Sequence, residues 1–171
     1  MKAAFIALIV ALFALPARAA EPIPLHPWIG KLYADFGLNL FYPSGASLED
    51  NLEGMAPRDG RQRTLRVWID LAGGREFRAV VLDYDREDDW YGPDDALAQY
   101  IEGRGVVGLR EVPRTLGRGW LFERVQEGRR IRTHFIAVPP RYVILESIGP
   151  AARPLDPGTD RFLTDAMVLP R

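Results

Sequence analysis

Thr64-Leu65-Arg66-Val67-Trp68-Ile69-Asp70-Leu71, followed by Ala72-Gly73-Gly74-Arg75 and then Glu76-Phe77-Arg78-Ala79-Val80-Val81-Leu82-Asp83-Tyr84, reads as two β-strands folded back on each other. Leu65, Val67, Ile69 and Leu71 alternate with Thr64, Arg66, Trp68 and Asp70, the period of two expected of a half-buried strand. Gly73-Gly74 permits the positive φ of a tight two-residue turn. With the glycines as that turn, Leu71 faces Glu76, Val67 faces Val80 and Leu65 faces Leu82, so apolar positions meet across the pair.

The same alternation recurs downstream. Trp120 to Gln126 and Arg129 to Val138 flank Glu127-Gly128, a second two-residue turn. That register sets Trp120 against Phe135, Phe122 against Thr133 and Glu123 against Arg132. Pro139-Pro140 then breaks the strand, and Tyr142 to Ile148 forms another before Gly149-Pro150. Val106 to Val112 is a weaker strand stopped by Pro113. Gly92-Pro93-Asp94-Asp95 opens a helix, because proline suits the first helical position and carboxylates complement the positive end of the helix dipole. Leu97, Tyr100 and Ile101 form its inward face, and Gly103 or Gly105 ends it. Asp156-Pro157 starts a last short helix with Phe162, Leu163 and Ala166 inward, leading to a terminal strand Met167-Val168-Leu169.

Upstream, Trp28, Ile29, Leu32 and Phe36 recur at helical spacing, and Leu38, Leu40 and Tyr42 then alternate with Asn39 and Phe41. The expectation is a short helix or turn, then a strand. Pro43 to Arg63 is polar and rich in glycine and proline, which predicts a long loop. The order β, β, β, α, β, β, β, β, α, β is that of an α+β protein, one largely antiparallel β-sheet flanked by helices.

Ahead of this lies Met1 to Ala20, MKAAFIALIVALFALPARAA. Lys2 gives a positive start, Ala3 to Leu15 an apolar run and Ala17-Arg18-Ala19 a small-residue cleavage site, the layout of a signal peptide removed near Ala19. At 1.5 Å per helical residue that run reaches roughly 20 Å, short of a bilayer core, so no stable membrane span is expected. Residues 1–19 thus read as signal peptide, 20–27 as an extended leader with Pro22, Pro24 and Pro27, and 28–171 as one domain. The destination is periplasmic or secreted. The chain has no cysteine, so its stability there rests on packing, for which 47% apolar and 11% aromatic residues suffice. Lys2 and Arg18 leave with the signal, so of 22 basic residues 20 stay against 23 acidic ones, a net charge of −3. An acidic exported chain is a poor partner for nucleic acid.

Phe36-Gly37-Leu38-Asn39-Leu40-Phe41-Tyr42-Pro43, the central hairpin, the helix Asp94 to Glu102, the strand pair Trp120 to Val138 and the ending Arg161-Phe162-Leu163-Thr164-Asp165-Ala166-Met167-Val168-Leu169 together resemble the PsbP-like superfamily. That superfamily takes in the extrinsic photosystem protein, a group of bacterial lipoproteins and a nuclear Ran-binding protein of the same shape. The resemblance spans Phe36 to Leu169. It implies an α/β/α sandwich serving as a non-enzymatic accessory, binding or assembly module; with export and the lack of a catalytic constellation, the expectation is a monomer that engages a protein or envelope component. The usual ending has a serine before its aromatic residue where this chain has Asp165-Ala166-Met167.

Three constellations carry chemistry. Asp83, Asp85, Glu87, Asp89 and Asp94 stand at the first, third, fifth, seventh and twelfth places of a calcium-loop template, although its sixth place, which asks for glycine, holds Asp88. The alternatives are a calcium-binding module and a solvated acidic loop whose last carboxylates cap a helix. Arg130 and Arg132 share a strand face with His134, where an anion or acidic partner can dock, or where arginines simply pair with Glu123 and guard a sheet edge. Trp90 and Tyr91 are large aromatics at a loop tip, suited to anchoring a partner. A hydrolase would need a cleft joining His134 to a serine such as Ser147 or to a carboxylate, and the chain lacks a G-x-S-x-G elbow, a P-loop and a dinucleotide fingerprint. No residue is assigned to catalysis and no cofactor is required.

Overall fold

The computed structural model describes residues 27–53, 62–84 and 91–170. The expected signal peptide, most of the expected leader, and Asp85, Glu87, Asp89 and Trp90 lie outside the described residues. In chain order the elements are β1 (Trp28–Tyr33), a 3-10 turn (Ala34–Phe36), β2 (Leu38–Pro43), β3 (Ser47–Glu53), β4 (Gln62–Leu71), β5 (Arg75–Tyr84), α1 (Pro93–Ile101), β6 (Val107–Val112), β7 (Arg118–Gln126), β8 (Arg129–Val138), β9 (Arg141–Pro150), α2 (Thr159–Asp165) and β10 (Met167–Val168).

These strands form two sheets rather than the one expected. Seven align as β3-β4-β5-β9-β8-β7-β6, and a small sheet runs β1-β2-β10. Every pairing described is antiparallel. Helix α1 carries the chain from β5 to the far edge at β6, and the meander β6 to β9 brings it back beside β5. The class is α+β.

Both faces of the large sheet are covered at its middle, where nine of the ten residues of β9 are buried. On one face Leu65, Val67, Ile69, Phe77, Ala79, Val81, Val143 and Leu145 pack against Leu38 and Leu40 of the small sheet and Phe162 and Leu163 of α2. Phe77 and Phe162 stack with ring centroids 4.4 Å apart, fixing α2 on this face. On the opposite face Trp120, Phe122, Phe135, Tyr142 and Ile144 lie under Leu97 of α1, with Tyr100 and Ile101 beside them.

Three local expectations are corrected. The central hairpin pairs Leu71 with Arg75, Val67 with Ala79 and Leu65 with Val81, one residue away from the expected register. Ala72, Gly73 and Gly74 all belong to the connection, with φ of 77° and 71° at the two glycines. Because Phe77, Ala79 and Val81 are buried on one face while Val80 and Leu82 pack on the other, apolar matching on β5 could not select the register. Trp28 to Tyr33 is a strand and not a helix. It pairs with β2 from Trp28 opposite Pro43 to Tyr33 opposite Leu38, and Ile29 and Leu32 of its helix-spaced set are exposed. Only Ala34–Phe36 turns, closing on Gly37 at φ 58°. Finally, part of the expected loop Pro43 to Arg63 is strand β3, paired with β4 from Ser47 opposite Asp70 to Glu53 opposite Thr64. As an edge strand it is rich in Glu and Asp and alternates little, which is how an edge resists further pairing.

Other expectations hold. The second hairpin has the expected register, Trp120 opposite Phe135 and Glu123 opposite Arg132, closed by Glu127 at φ 50° and Gly128 at φ 73°. Helix α1 begins at Pro93 with Asp94 and Asp95 in its first turn, and Phe162, Leu163 and Ala166 are buried.

Candidate functional site

Some charged groups are built into the interior and others stand at the surface, among them those of the edge strand β6. Asp83, first of the proposed calcium carboxylates, is fully buried and ion-paired with Arg63, which also donates to the Asp35 carbonyl at 3.1 Å. Asp94, the last, is exposed, and both its carboxylate oxygens accept from Nη1 of Arg118, at 3.0 and 2.8 Å. The same guanidinium holds Glu111 at 2.9 Å, which keeps the Glu111 carboxyl below its usual range. Both described members of the template are therefore engaged by arginines, and no group of three or more potential metal ligands occurs among the described residues.

Arg130, Arg132 and His134 do share a face, as expected from alternation along β8, but that face carries α2. Arg132 pairs with Asp160 of α2 at 2.8 Å and with Glu123 at 3.6 Å. His134, read from sequence as a possible partner contact, is only 1% exposed, and its Nδ1 donates to the Leu163 carbonyl at 2.6 Å. Burial pushes its pKa down to about 4, helped by Arg114 and Arg110 and opposed by the Leu163 bond, so the ring is neutral at pH 7. Its Nε2 lies against Gly119, where a Cβ would sit 2.7 Å away. Ser147 is also buried and spends its hydroxyl on Thr159 at 2.7 Å. A triad through His134 would need Nδ1 held by a carboxylate and Nε2 on the serine; Nδ1 instead meets a backbone carbonyl and the serine meets a threonine.

Two further buried groups escaped the sequence reading. On the α1 side of the sheet, Arg124 donates to Glu146 at 2.7 Å and to Thr133 at 2.9 Å, and Tyr100 of α1 donates to the same Glu146 oxygen at 2.8 Å. Burial, reinforced by the neighbouring Glu146 charge, pushes the Tyr100 hydroxyl up to about 12. Arg141, 1% exposed, donates to the backbone carbonyls of Phe36 and Leu169, tying the 3-10 turn to the end of β10. Each strand pattern marked these positions as inward, but alternation alone gives no sign that an inward arginine meets a partner.

One group presented at the surface lies at β6. Every residue of this edge strand is exposed or half-buried, and Val107 and Leu109 stand out at 62% and 45% exposure, with Val125 of β7 at 62%. Between Val107 and Arg110 the pairing with β7 slips, a bulge that accommodates Gly108 at φ 66°. Beside the bulge is a notch of about 230 Å³ lined by Val107, Arg110, Leu121, Glu123 and Arg132. Arg110 is opposite Leu121, and Val107 is opposite Glu123, so these side chains share the α2 face of the sheet. Helix α2 packs on β2, β8 and β9, leaving this strip beside it bare. No family model and no characterised protein matches the chain.

Tyr91 is 54% exposed and its carbonyl accepts the Tyr142 hydroxyl, so its backbone is pinned while its ring faces outward. Trp28 instead folds inward, with its ring centroid 6.2 Å from that of Phe77 and under the Arg161 guanidinium at 4.8 Å. A wider groove of about 440 Å³ separates Pro113–Leu116 from the chain end at 164–170, with Arg114 reaching across it to the Ala166 carbonyl at 3.2 Å.

Proposed function

We propose that the chain is an exported accessory domain of PsbP-like α/β/α form that acts by binding a protein or another envelope component and not by catalysis. The layering of one α-helix, a large antiparallel sheet, and a second layer of helix with small sheet agrees with that form. The observation that carries the reading is the contrast in side-chain commitment. The interior acids and bases are spent on one another or on backbone carbonyls, whereas the apolar residues Val107, Leu109 and Val125 are held at the surface beside Arg110. Exposed apolar side chains grouped next to a charge are the usual make-up of a recognition surface.

The mature domain, residues 20–171, immobilised and challenged with an envelope extract at physiological salt, should retain a defined partner that is released by the soluble domain in excess. Turnover of a small substrate by a chain that retains no partner would replace this reading with an enzymatic one.

A further inference from the structure

We infer that the bulged notch of β6 is the contact point, and that it takes an extended protein segment carrying a carboxylate side chain flanked by small apolar ones. This rests on the binding role proposed above and names its site and its chemistry.

The two edges of the large sheet differ in how their charges are held. At β3, Asp50 is paired with Lys31 at 2.5 Å and with the Tyr33 hydroxyl at 3.1 Å, and Glu49, Asp50 and Glu53 give that edge one sign of charge. At β6 the cation is the uncommitted group. Arg110 makes no ion pair or hydrogen bond among the described residues, although the neighbouring Arg118 holds two carboxylates and Arg132 holds Asp160. A guanidinium in a concave site offers two parallel N–H donors, the geometry a carboxylate accepts. Its closest acid in the notch, Glu123, already faces Arg132.

Size and surroundings set the rest of the ligand. About 230 Å³ holds one side chain and not a drug-sized molecule. Val107 and Val125 flank the notch on the same sheet face, and Leu109 sits in the bulge, so the residues on either side of the inserted carboxylate meet apolar surface. An extended segment supplies this pattern naturally, because alternate side chains point the same way. The bulge interrupts the outer edge of β6, so side-chain insertion into the notch and not a continuous main-chain ladder carries the contact.

The test uses two acetylated and amidated pentapeptides, Val-Ser-Glu-Ser-Val and Val-Ser-Gln-Ser-Val, whose valines share a side with the central residue when extended, each fluorescently labelled and titrated with residues 20–171 at low and physiological salt. The glutamate peptide should bind at least tenfold more tightly than its neutral twin, and the preference should shrink with salt. R110E should abolish the preference and R110K should retain part of it, with melting temperatures unchanged because Arg110 is exposed. Equal affinity for the two peptides, or a preference untouched by R110E, overturns the assignment. So does Arg110-dependent binding to phosphatidylglycerol vesicles without peptide binding, which would assign the notch to a membrane surface. Arg110-dependent self-association in sedimentation without peptide binding likewise overturns it, in favour of a second copy of the chain. If R110E retains the same partner from extract as the wild type, the binding role stands and the notch is excluded from it.

Discussion

On the α1 side of β7, Arg124 is sealed beneath Tyr100 and bonded to Glu146 and Thr133, whereas on the other side of the same strand Leu121 and Glu123 border an open notch with Arg110 at its lip. Both arginines sit among apolar neighbours, and both come from strands of similar composition. What separates them is coverage. Helix α1 spans β7 to β9, while α2 on the opposite face reaches only to β8. A guanidinium in the covered region must have a partner within the chain, since an unpaired buried charge is far costlier than a satisfied one. In the bare region solvent satisfies it, and it stays available to something else.

The largest effect expected from this contrast is at Arg124. R124M should cost about 3–5 kcal/mol in urea unfolding, because it strands the Glu146 carboxylate in the interior, and R124M/E146L should recover most of that. A single-variant loss below about 1 kcal/mol would show that water reaches the pair, and the two sides of β7 would then differ less than described.

Next is His134, buried without charge. The unfolded ring takes a proton below pH about 6.5 and the folded one only below about 4, so unfolding takes up a proton between those values. Stability is full above pH 6.5 and falls as pH drops toward 4, by on the order of 3 kcal/mol at most. Replacing His134 with Asn should flatten this segment of the profile; an unchanged slope would assign it to carboxylates instead.

A smaller loss, about 1–3 kcal/mol, is expected for G37A, since its φ of 58° is strained for alanine. The new Cβ would also stand 2.1 Å from the buried Arg141 guanidinium, so any relaxation must disturb the bonds to Phe36 and Leu169. Chemical denaturation measures it, and a neutral result would show that Arg141 has room to shift. Smallest is R110A, which should leave stability within about 0.5 kcal/mol. A larger loss there would mean that Arg110 has a structural partner, removing the contrast with Arg124.

Much of the fold was legible where a strand is covered on one face or where a turn is chemically marked. Glu127-Gly128 set the register of the second hairpin because only one alignment puts Trp120 on Phe135 and Glu123 on Arg132. Gly73-Gly74 suits a two-residue turn, yet β5 carries apolar residues on both its buried and its half-buried face, so their polarity does not oppose a shift by one. Strand β3 hid because an edge in water needs few apolar residues, and β1 because a six-residue window with Trp28, Ile29 and Leu32 fits two periods. Of the site residues, Asp83, His134 and Arg132 were placed on the right strands, but their burial depends on α2 and on Arg63, which come from distant parts of the chain. The notch at Arg110 was not foreseen, because it arises from a bulge at Gly108 and from where α2 stops.

The pairing of β10 with β2 has a consequence for the order in which the molecule can be completed. Strand β2 begins at Leu38, while its partner residues are Met167 and Val168, and the Leu169 amide closes on the Gly37 carbonyl at 2.7 Å. A chain delivered from its N-terminal end makes the β1–β2 hairpin early and must then hold its third strand position open while roughly 120 residues arrive. Throughout that interval Leu38 and Leu40, both wholly buried in the finished molecule, lack part of their cover. The last strand is thus a latch, and a chain cut short before Met167 would keep its hairpins yet expose the layer that the latch closes.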